Sequence, residues 1–490
     1  MHDNIEQLEA ALAELKRKKE LEDKLSGKIV LDSNTPFKSA EIFIDTKFMH
    51  EKRRTIHHCR DAFWVWCKCY YREIDETTVR RDLYEFLEAA FEQKVNKKTG
   101  EVSLVPFTSN AAKVSVIFDA FKCLVHNEMK PEAAAIWLDE SEYYPENFIV
   151  FRNGILDLDE WISGNACSLF PNTPNLLNAS YLPFDYEENE GKPEKWLGFL
   201  ETIWGSDTES IETLQEWIGL SLTSEMKYQK IMLIVGPPRS GKGTIARVMR
   251  KILGEENVAG PVLSSLEQNF GLQSLLNKTH AIVSDARLSA GSNKAIITER
   301  LLSISGSDSL TIDRKQRKAL TLTLGARITL MSNELPALKD VSGALVNRYI
   351  LLPMTKSFLG VEDVDLEKKL YAELPQILTW ALEGLKRLTE RKCFIQPSSA
   401  REHLSELLAV SSPIRAFIKE RCVLDSDKVL SLIDLYRKWR NWNLENGYEY
   451  TTTTQKFRSD LRNACPQLKI EKAEIEGAIV DVYRGIGLSA

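Results

Sequence analysis

One run of residues constrains the fold of this chain more than any other: Gly236-Pro237-Pro238-Arg239-Ser240-Gly241-Lys242-Gly243-Thr244. Glycine, four residues, glycine and lysine follow in order, the spacing of a loop that wraps phosphate. The flanks fit that reading. Residues 230–235 form a short apolar strand pattern, as a central parallel strand buried on both faces requires. Ile245, Val248, Met249, Ile252 and Leu253 then recur with helical period, and Gly254 ends the helix. In a strand–loop–helix unit of this kind, backbone N–H groups converge on an anion where the helix N-terminus adds partial positive charge. Lys242 supplies a mobile full charge for the β and γ phosphates. Residues 236–244 are therefore expected to bind ATP.

The hydroxyl that usually follows the lysine and holds Mg²⁺ is absent: Gly243 stands there, and Thr244 comes one residue later. Nucleotide kinases resembling adenylate kinase also carry Gly-Lys-Gly-Thr, so the loop alone leaves kinase and motor open. Residues further along bear on that choice. Ala281-Ile282-Val283-Ser284-Asp285 reads as an apolar strand delivering a carboxylate, with Thr244, to Mg²⁺. Two β-type runs, 310–313 and 319–324, flank the basic tip Arg314-Lys315-Gln316-Arg317-Lys318. Four cations so close together are costly without an anion nearby, and single-stranded DNA is the expected one. Residues 327–333 read as an apolar strand ending in Asn333, placed to touch the γ phosphate and orient water. Arg348 follows, where it could reach a neighbouring subunit's ATP site. Each residue alone also has a plain structural reading: a strand-end cap for Asn333, a surface ion pair for Arg348, a solvated turn for the tip.

Around this α/β stretch the pattern changes. Residues 3–25 read as a helix with Ile5, Leu8, Leu12 and Leu15 on one stripe, and 40–145 as aromatic-rich and mostly helical. Residues 148–158 suggest a hairpin turning at Asn153-Gly154. Helices are expected over 194–228 and 365–392. Residues 396–412 read as a linker, or a helix followed by one. Helices at 431–444 and 455–464, followed by a strand at 478–483, suggest a winged helix. Arg437, Lys438, Arg440, Lys456, Arg458 and Arg462 could give that domain a face for duplex DNA. The expected domains are 1–30 (N-terminal helix), 31–195 (helical or α+β), 196–392 (ATPase) and 393–490 (winged helix).

Composition sets the remaining bounds. A net charge of −6 gives no global basic field, so a nucleic acid would have to meet a local basic element such as the inside of a ring. No apolar run approaches the roughly 18 residues that span a membrane. With eight cysteines and no secretory signal, a reducing cytoplasmic setting is expected. His57, His58, Cys59, Cys67 and Cys69 are metal-capable, but Cys67-Lys68-Cys69 is tighter than zinc spacing, and a packed segment around Phe63, Trp64 and Trp66 is the preferred reading.

Taken together, the sequence resembles superfamily 3 helicases, related to AAA+ proteins. More narrowly it is similar to the helicase-primase group of poxviruses, phages, satellites and plasmids. The residues that carry the likeness are Asn153-Gly154-Ile155-Leu156-Asp157, the helix pattern at 214–220, Ser305-Gly306-Ser307-Asp308, Asn333-Glu334-Leu335-Pro336 and Tyr483-Arg484-Gly485-Ile486. The resemblance implies a hexameric ring moving 3′→5′ on single-stranded DNA and starting replication of a phage or mobile element. It implies Lys242 and Thr244 on phosphates and Mg²⁺, Asp285 as the acid, Asn333 as the sensor, Arg348 as a finger acting in trans, and Lys315, Arg317 and Lys318 on a DNA-tracking hairpin.

Two departures qualify it. Members usually carry two adjacent acids, or a Glu, where this chain has Asp285-Ala286-Arg287. One Asp must then serve both Mg²⁺ and water, or a distant Glu helps, and hydrolysis could be slow. Many relatives also carry a primase domain upstream. No acid triad in such a context precedes residue 148, so primer synthesis is not expected. A DNA-binding protein with weak or lost ATPase and a nucleotide-kinase-like enzyme are the competing readings.

Overall fold

The computed structural model describes residues 27–59, 61–96, 102–128, 135–139, 147–165, 168–188, 191–289, 291–336, 338, 340, 343–446, 453–475 and 478–489. The helix expected at 3–25 lies outside them. The chain is a mixed α/β structure in two units, 1–143 with 172–179, and 144–171 with 180–490. No helix among the described residues is long and apolar enough to cross a membrane.

The first unit corrects the mostly helical expectation for 40–145. Helices Pro36–Lys47, Glu76–Glu88 and Ala111–Leu124 share it with short strands. Ile56–Cys59, Ala62–Trp66 and Tyr71–Ile74 form one antiparallel sheet, and Val30–Leu31, Phe91–Val95 and Val102–Pro106 another. Strands this short hold too few residues to display a period of two. In helix Glu76–Glu88 the residues Val79, Leu83, Phe86 and Leu87 are buried. They join an aromatic core in which the Phe43 ring lies 5.0 Å from Phe86 and 5.3 Å from Phe121. His57 and Cys59 are buried within the Ile56–Cys59 strand, and Cys59, Cys67 and Cys69 form no disulfide among the described residues.

The second unit opens with the hairpin, Phe148–Phe151 paired antiparallel to Gly154–Asp157. Its two-residue turn is Arg152-Asn153, one residue earlier than the sequence suggested. Asp157 ends the hairpin and caps helix Leu158–Ser163, accepting from the N–H groups of Asp159 and Glu160.

The centre of this unit is a five-stranded parallel sheet. Its order is Val258–Ala259, His280–Val283, Arg327–Ser332, Ile231–Val235 and Tyr349–Pro353. Side chains alternate across it, which explains why the central strand is apolar throughout. Met232 and Ile234 enter one core with Trp217, Ile245, Met249 and Leu385. Ile231, Leu233 and Val235 enter a second with Leu263, Ile297, Leu301 and Ile304. Two polar rings converge on one hydroxyl within the sheet. Trp217 Nε1 donates to Thr329 Oγ1 at 2.9 Å, and His280 Nε2 lies 2.8 Å from the same hydroxyl. Full burial holds the His280 pKa well below the ordinary histidine value, so the ring is neutral.

Helices Thr208–Ser221 and Leu374–Arg391 cover the first face and touch backbone to backbone. A Cβ on Gly219 would lie 2.1 Å from Ala381 O, and one on Gly384 would lie 2.7 Å from the Gln215 backbone. Buried Glu216 locks the pair through Arg387, 2.7 Å away, and Arg391. Residues 396–412 are more ordered than a linker: helix Arg401–Ser411 places Leu407 in the second core. C-terminal to it, strand Val429–Ser431 precedes helices Leu432–Glu445 and Thr454–Ala464 and joins the later strands Ala478–Arg484 and Lys469–Ile475 in one antiparallel sheet.

Candidate functional site

Residues 236–241 leave the sheet at the carboxyl end of the Ile231–Val235 strand, between Arg327–Ser332 and Tyr349–Pro353. The winding reverses here. From this strand the chain runs to the Val258–Ala259 edge, returns through two neighbours, and then crosses to the opposite side. Open parallel sheets hold ligands at such switch points. Glycine is required at 236 because Met354 crosses it: a Cβ would lie 2.6 Å from Met354 Cβ and 2.7 Å from its carbonyl oxygen. Arg239 and Gly241 take φ of 58° and 99°, reversals of the kind that turn successive N–H groups inward around an anion.

Lys242 begins the helix Lys242–Leu253 and folds back across the loop. Its Nζ donates to Gly236 O at 2.7 Å, Pro237 O at 2.8 Å and Ser240 Oγ at 3.1 Å. Burial lowers its pKa from the ordinary lysine value, and the nearby Asp285 charge opposes that shift. Thr244 Oγ1 accepts from Arg247 Nη2 at 3.4 Å, and Arg247 pairs with Glu367 at 2.6 Å. A cleft of about 650 Å³ opens over the loop, walled also by Asn333, Phe199, Phe358 and Val361. That volume suits a nucleotide-sized ligand.

Asp285 lies two residues past the end of His280–Val283, and Asn333 one past the end of Arg327–Ser332. The Ala286 N–H donates to Met331 O at 2.8 Å, so the chain at 285–287 runs beside 331–334. Lys242, Asp285 and Asn333 thus share one carboxyl edge. Asp285 is exposed, yet Arg287 grips it: Nε lies 2.9 Å from both carboxylate oxygens and Nη2 lies 2.5 Å from Oδ2. That bond, with a smaller contribution from Lys242, holds the Asp285 carboxyl below the usual range. Arg287 also feels the charge of Glu334. Sequence reasoning passed over this arginine. The Asp-x-Arg spacing was the available signal, since residues two apart share a side of extended chain.

Arg348 is not brought to the cleft. It sits at the amino end of Tyr349–Pro353, the opposite edge of the sheet, where Nη1 donates to Ser305 Oγ at 2.8 Å and to Leu302 O. Its turn is built by Asp340, which the sequence did not flag. The buried Asp340 carboxylate accepts from Gly343 and Ala344 N–H at 3.0 and 3.1 Å, and from Leu345 and Val346 N–H at 2.8 and 3.1 Å.

The basic hairpin is real, but its tip is shorter than expected. Strands Ser309–Arg314 and Arg317–Thr323 meet at Lys315-Gln316, with Gln316 at φ 60°. Lys315, Arg317 and Lys318 are exposed. Arg314 is buried, and its Nε donates to Lys318 O at 2.8 Å. It belongs to the strand because alternation places it on the same inward side as Ile312, across a register shift.

A family described as "Family of unknown function (DUF5906)" matches residues 234–348, a stretch that contains the loop, Asp285, the hairpin, Asn333 and Arg348. Among solved structures, the chain is similar to "The A form apo structure of NrS-1 C terminal region-CTR", at 10% identity and a TM-score of 0.49, covering 92% of this chain and 100% of that one. It is also similar to "The apo structure of NrS-1 C terminal region (305-718)", at 11% identity and a TM-score of 0.48, covering 92% and 99%.

Proposed function

We propose that this chain is an ATP-hydrolysing DNA helicase of the superfamily 3 type, a P-loop motor with a C-terminal winged helix, working as a hexameric ring. The observation that carries the reading is the glycine loop at the switch point of the parallel sheet, with Lys242 across it and Asp285 and Asn333 on the same edge. In this reading the loop N–H groups and Lys242 hold the β and γ phosphates, and Asn333 orients the attacking water. Thr244 and Asp285 offer the hard oxygen donors that Mg²⁺ prefers, and the ion would neutralise charge developing on the transferred phosphoryl. Asp285 must first leave Arg287.

Two further features support a ring on DNA. Lys315, Arg317 and Lys318 are exposed together at the end of the hairpin, a cluster of cations that suits a phosphate backbone alongside. Arg348 lies on the sheet edge away from its own cleft, as a residue serving a neighbour's nucleotide would. The proposed role is to start replication of a phage or mobile element, moving 3′→5′ on single-stranded DNA, with the C-terminal unit contacting duplex. A nucleotide kinase has no use for the hairpin or for an arginine so placed.

ATP hydrolysis measured with and without single-stranded DNA tests the reading. DNA-stimulated turnover that Lys242→Ala abolishes is expected; equal rates in both proteins would remove the motor. The grip of Arg287 on Asp285 favours one second reading, a DNA-binding protein with weak ATPase. That reading predicts DNA and ATP binding without turnover.

A further inference from the structure

The apolar wall of the cleft has no role in holding phosphate. It comes from two distant stretches of chain, each tied to the loop. After the last sheet strand, Met354 N–H donates to Val235 O at 2.7 Å, Ser357 Oγ to Pro238 O at 2.8 Å, and Phe358 N–H to Arg239 O at 2.9 Å. Residues 354–358 are thereby laced along the outside of the phosphate loop. The second stretch is helix Glu194–Trp204. Its first turn is capped by the Glu373 carboxylate, which accepts from the N–H groups of Lys195 and Trp196 at 3.0 Å. Its far end is pinned where Trp204 Nε1 donates to Pro353 O at 2.8 Å. Between these anchors Phe199 sits under the loop, its ring 3.2 Å from where a Cβ on Gly241 would be.

The rim is unusual for a surface. Leu359, Val361 and Val364 are 74%, 75% and 92% exposed within one short segment. Three of the carboxylates beside them are engaged: Glu362 with Arg239 at 3.6 Å, Asp363 with Lys369 at 2.7 Å, and Glu367 with Arg247 at 2.6 Å. On this side Phe199, Phe358, Val361, Val364 and Leu366 line the cleft, with Lys195 and Thr202 beside them. A triphosphate on the loop directs its γ end to the polar groups, Asp285 and Asn333. Its other end must then lie on the apolar wall.

We infer that Phe199, Phe358 and Val361 form the seat for the base of the bound nucleotide, with Phe358 held in register with the phosphate loop by the bonds to the Pro238 and Arg239 carbonyls. The inference rests on the nucleotide-binding reading above. Stacking of a base on an aromatic ring contributes about 1–3 kcal/mol, roughly a ten- to hundredfold change in affinity.

The test compares two ligands that share phosphates and differ in the base. Dissociation constants for ATP and for inorganic tripolyphosphate are measured with Mg²⁺ on the full chain, on Phe358→Ala and on Phe358→Trp. ATP binding should weaken ten- to hundredfold in Phe358→Ala and recover in Phe358→Trp, with tripolyphosphate unchanged within twofold. Equal loss of both ligands in Phe358→Ala would mean that the residue props the loop, and the seat is overturned. So would unchanged ATP binding in Phe358→Ala. A wild-type chain that binds neither ligand overturns the nucleotide reading itself, and the seat with it.

Discussion

Arg348 Nη1 lies 2.8 Å from Ser305 Oγ, joining the start of strand Tyr349–Pro353 to the last turn of helix Lys294–Gly306. This contact holds the arginine on the sheet edge opposite the phosphate loop. A residue so placed can act on nucleotide only in another subunit. Arg348→Ala should therefore leave ATP affinity intact and lower turnover on the order of 10³-fold, as removal of an arginine finger does. Mixed with Lys242→Ala, it should regain partial activity, since sites with an intact loop and a neighbour's intact arginine form again. If Ser305→Ala lowers turnover as much as Arg348→Ala, the bond within the subunit is what matters, and the trans role is wrong.

The ion pair between Arg287 and Asp285 predicts a second outcome. Both groups are largely exposed, so the pair itself contributes little to stability. Its effect would be on Mg²⁺. Arg287→Ala should lower the Mg²⁺ concentration needed for half-maximal hydrolysis severalfold, because the metal no longer displaces a guanidinium. Asp285→Asn should instead cost about 10²-fold or more in rate, the scale of several kcal/mol of lost transition-state stabilisation. A Mg²⁺ titration of the two variants separates them. An unchanged midpoint in Arg287→Ala would show that the pair does not compete with metal.

The hairpin gives a graded prediction. Replacing Lys315, Arg317 and Lys318 with Ala should weaken single-stranded DNA binding and reduce the slope of log K against log salt by about 2, near 0.7 for each phosphate no longer neutralised. Arg314→Ala should behave differently. Its buried guanidinium is tied to Lys318 O, so its removal should lower stability more than it changes the salt slope. Fluorescence anisotropy at several salt concentrations decides. A triple variant with the wild-type slope would take the hairpin off the DNA.

Why some of this was legible in the sequence and some was not has a physical basis. The Ile231–Val235 strand and the Lys242–Leu253 helix were plain because burial on both sheet faces, or on one helix face, writes a strict pattern into consecutive residues. The short strands of the first unit write no such pattern, and aromatic residues at 62–66 suit a packed segment of any kind. Phe199 and Phe358 could not be joined in advance. They are far apart in sequence and line one cleft through contacts that the residue types do not determine. Arg314 was misplaced for a related reason: a register shift between Ile312 and Arg314 moves it from tip to strand.

His57 gives the first unit a pH dependence. The ring is buried among the aromatic residues, and desolvation lowers its pKa to about 4 from an ordinary 6.5. Between those values the unfolded chain binds the extra proton, so stability rises with pH across this window. It is fully present above 6.5 and lost as pH falls toward 4. A shift of this size corresponds to about 3 kcal/mol. Urea unfolding of the first unit at pH 7.5 and pH 4.5 should show most of that loss. His57→Phe should flatten the difference; if the slope persists unchanged, other groups carry it.

Asp340 makes the final case, because it links stability to the arginine on the far edge. Its carboxylate accepts from four consecutive N–H groups, 343 to 346, and fixes the turn that delivers Arg348. Asp340→Ala strands buried donors that water can only partly rescue, each costing about 1–3 kcal/mol when left unmet. With some relaxation, a net loss of about 2–4 kcal/mol in chemical unfolding is the expected result. Nucleotide affinity should stay near wild type, since the loop lies at the other end of the sheet, while turnover that depends on Arg348 should fall in parallel with that of Arg348→Ala. Asp340→Asn, which keeps an acceptor oxygen, should fall between the two. If Asp340→Ala unfolds at the wild-type denaturant concentration, or weakens ATP binding as strongly as it slows turnover, then the turn does not act by placing Arg348.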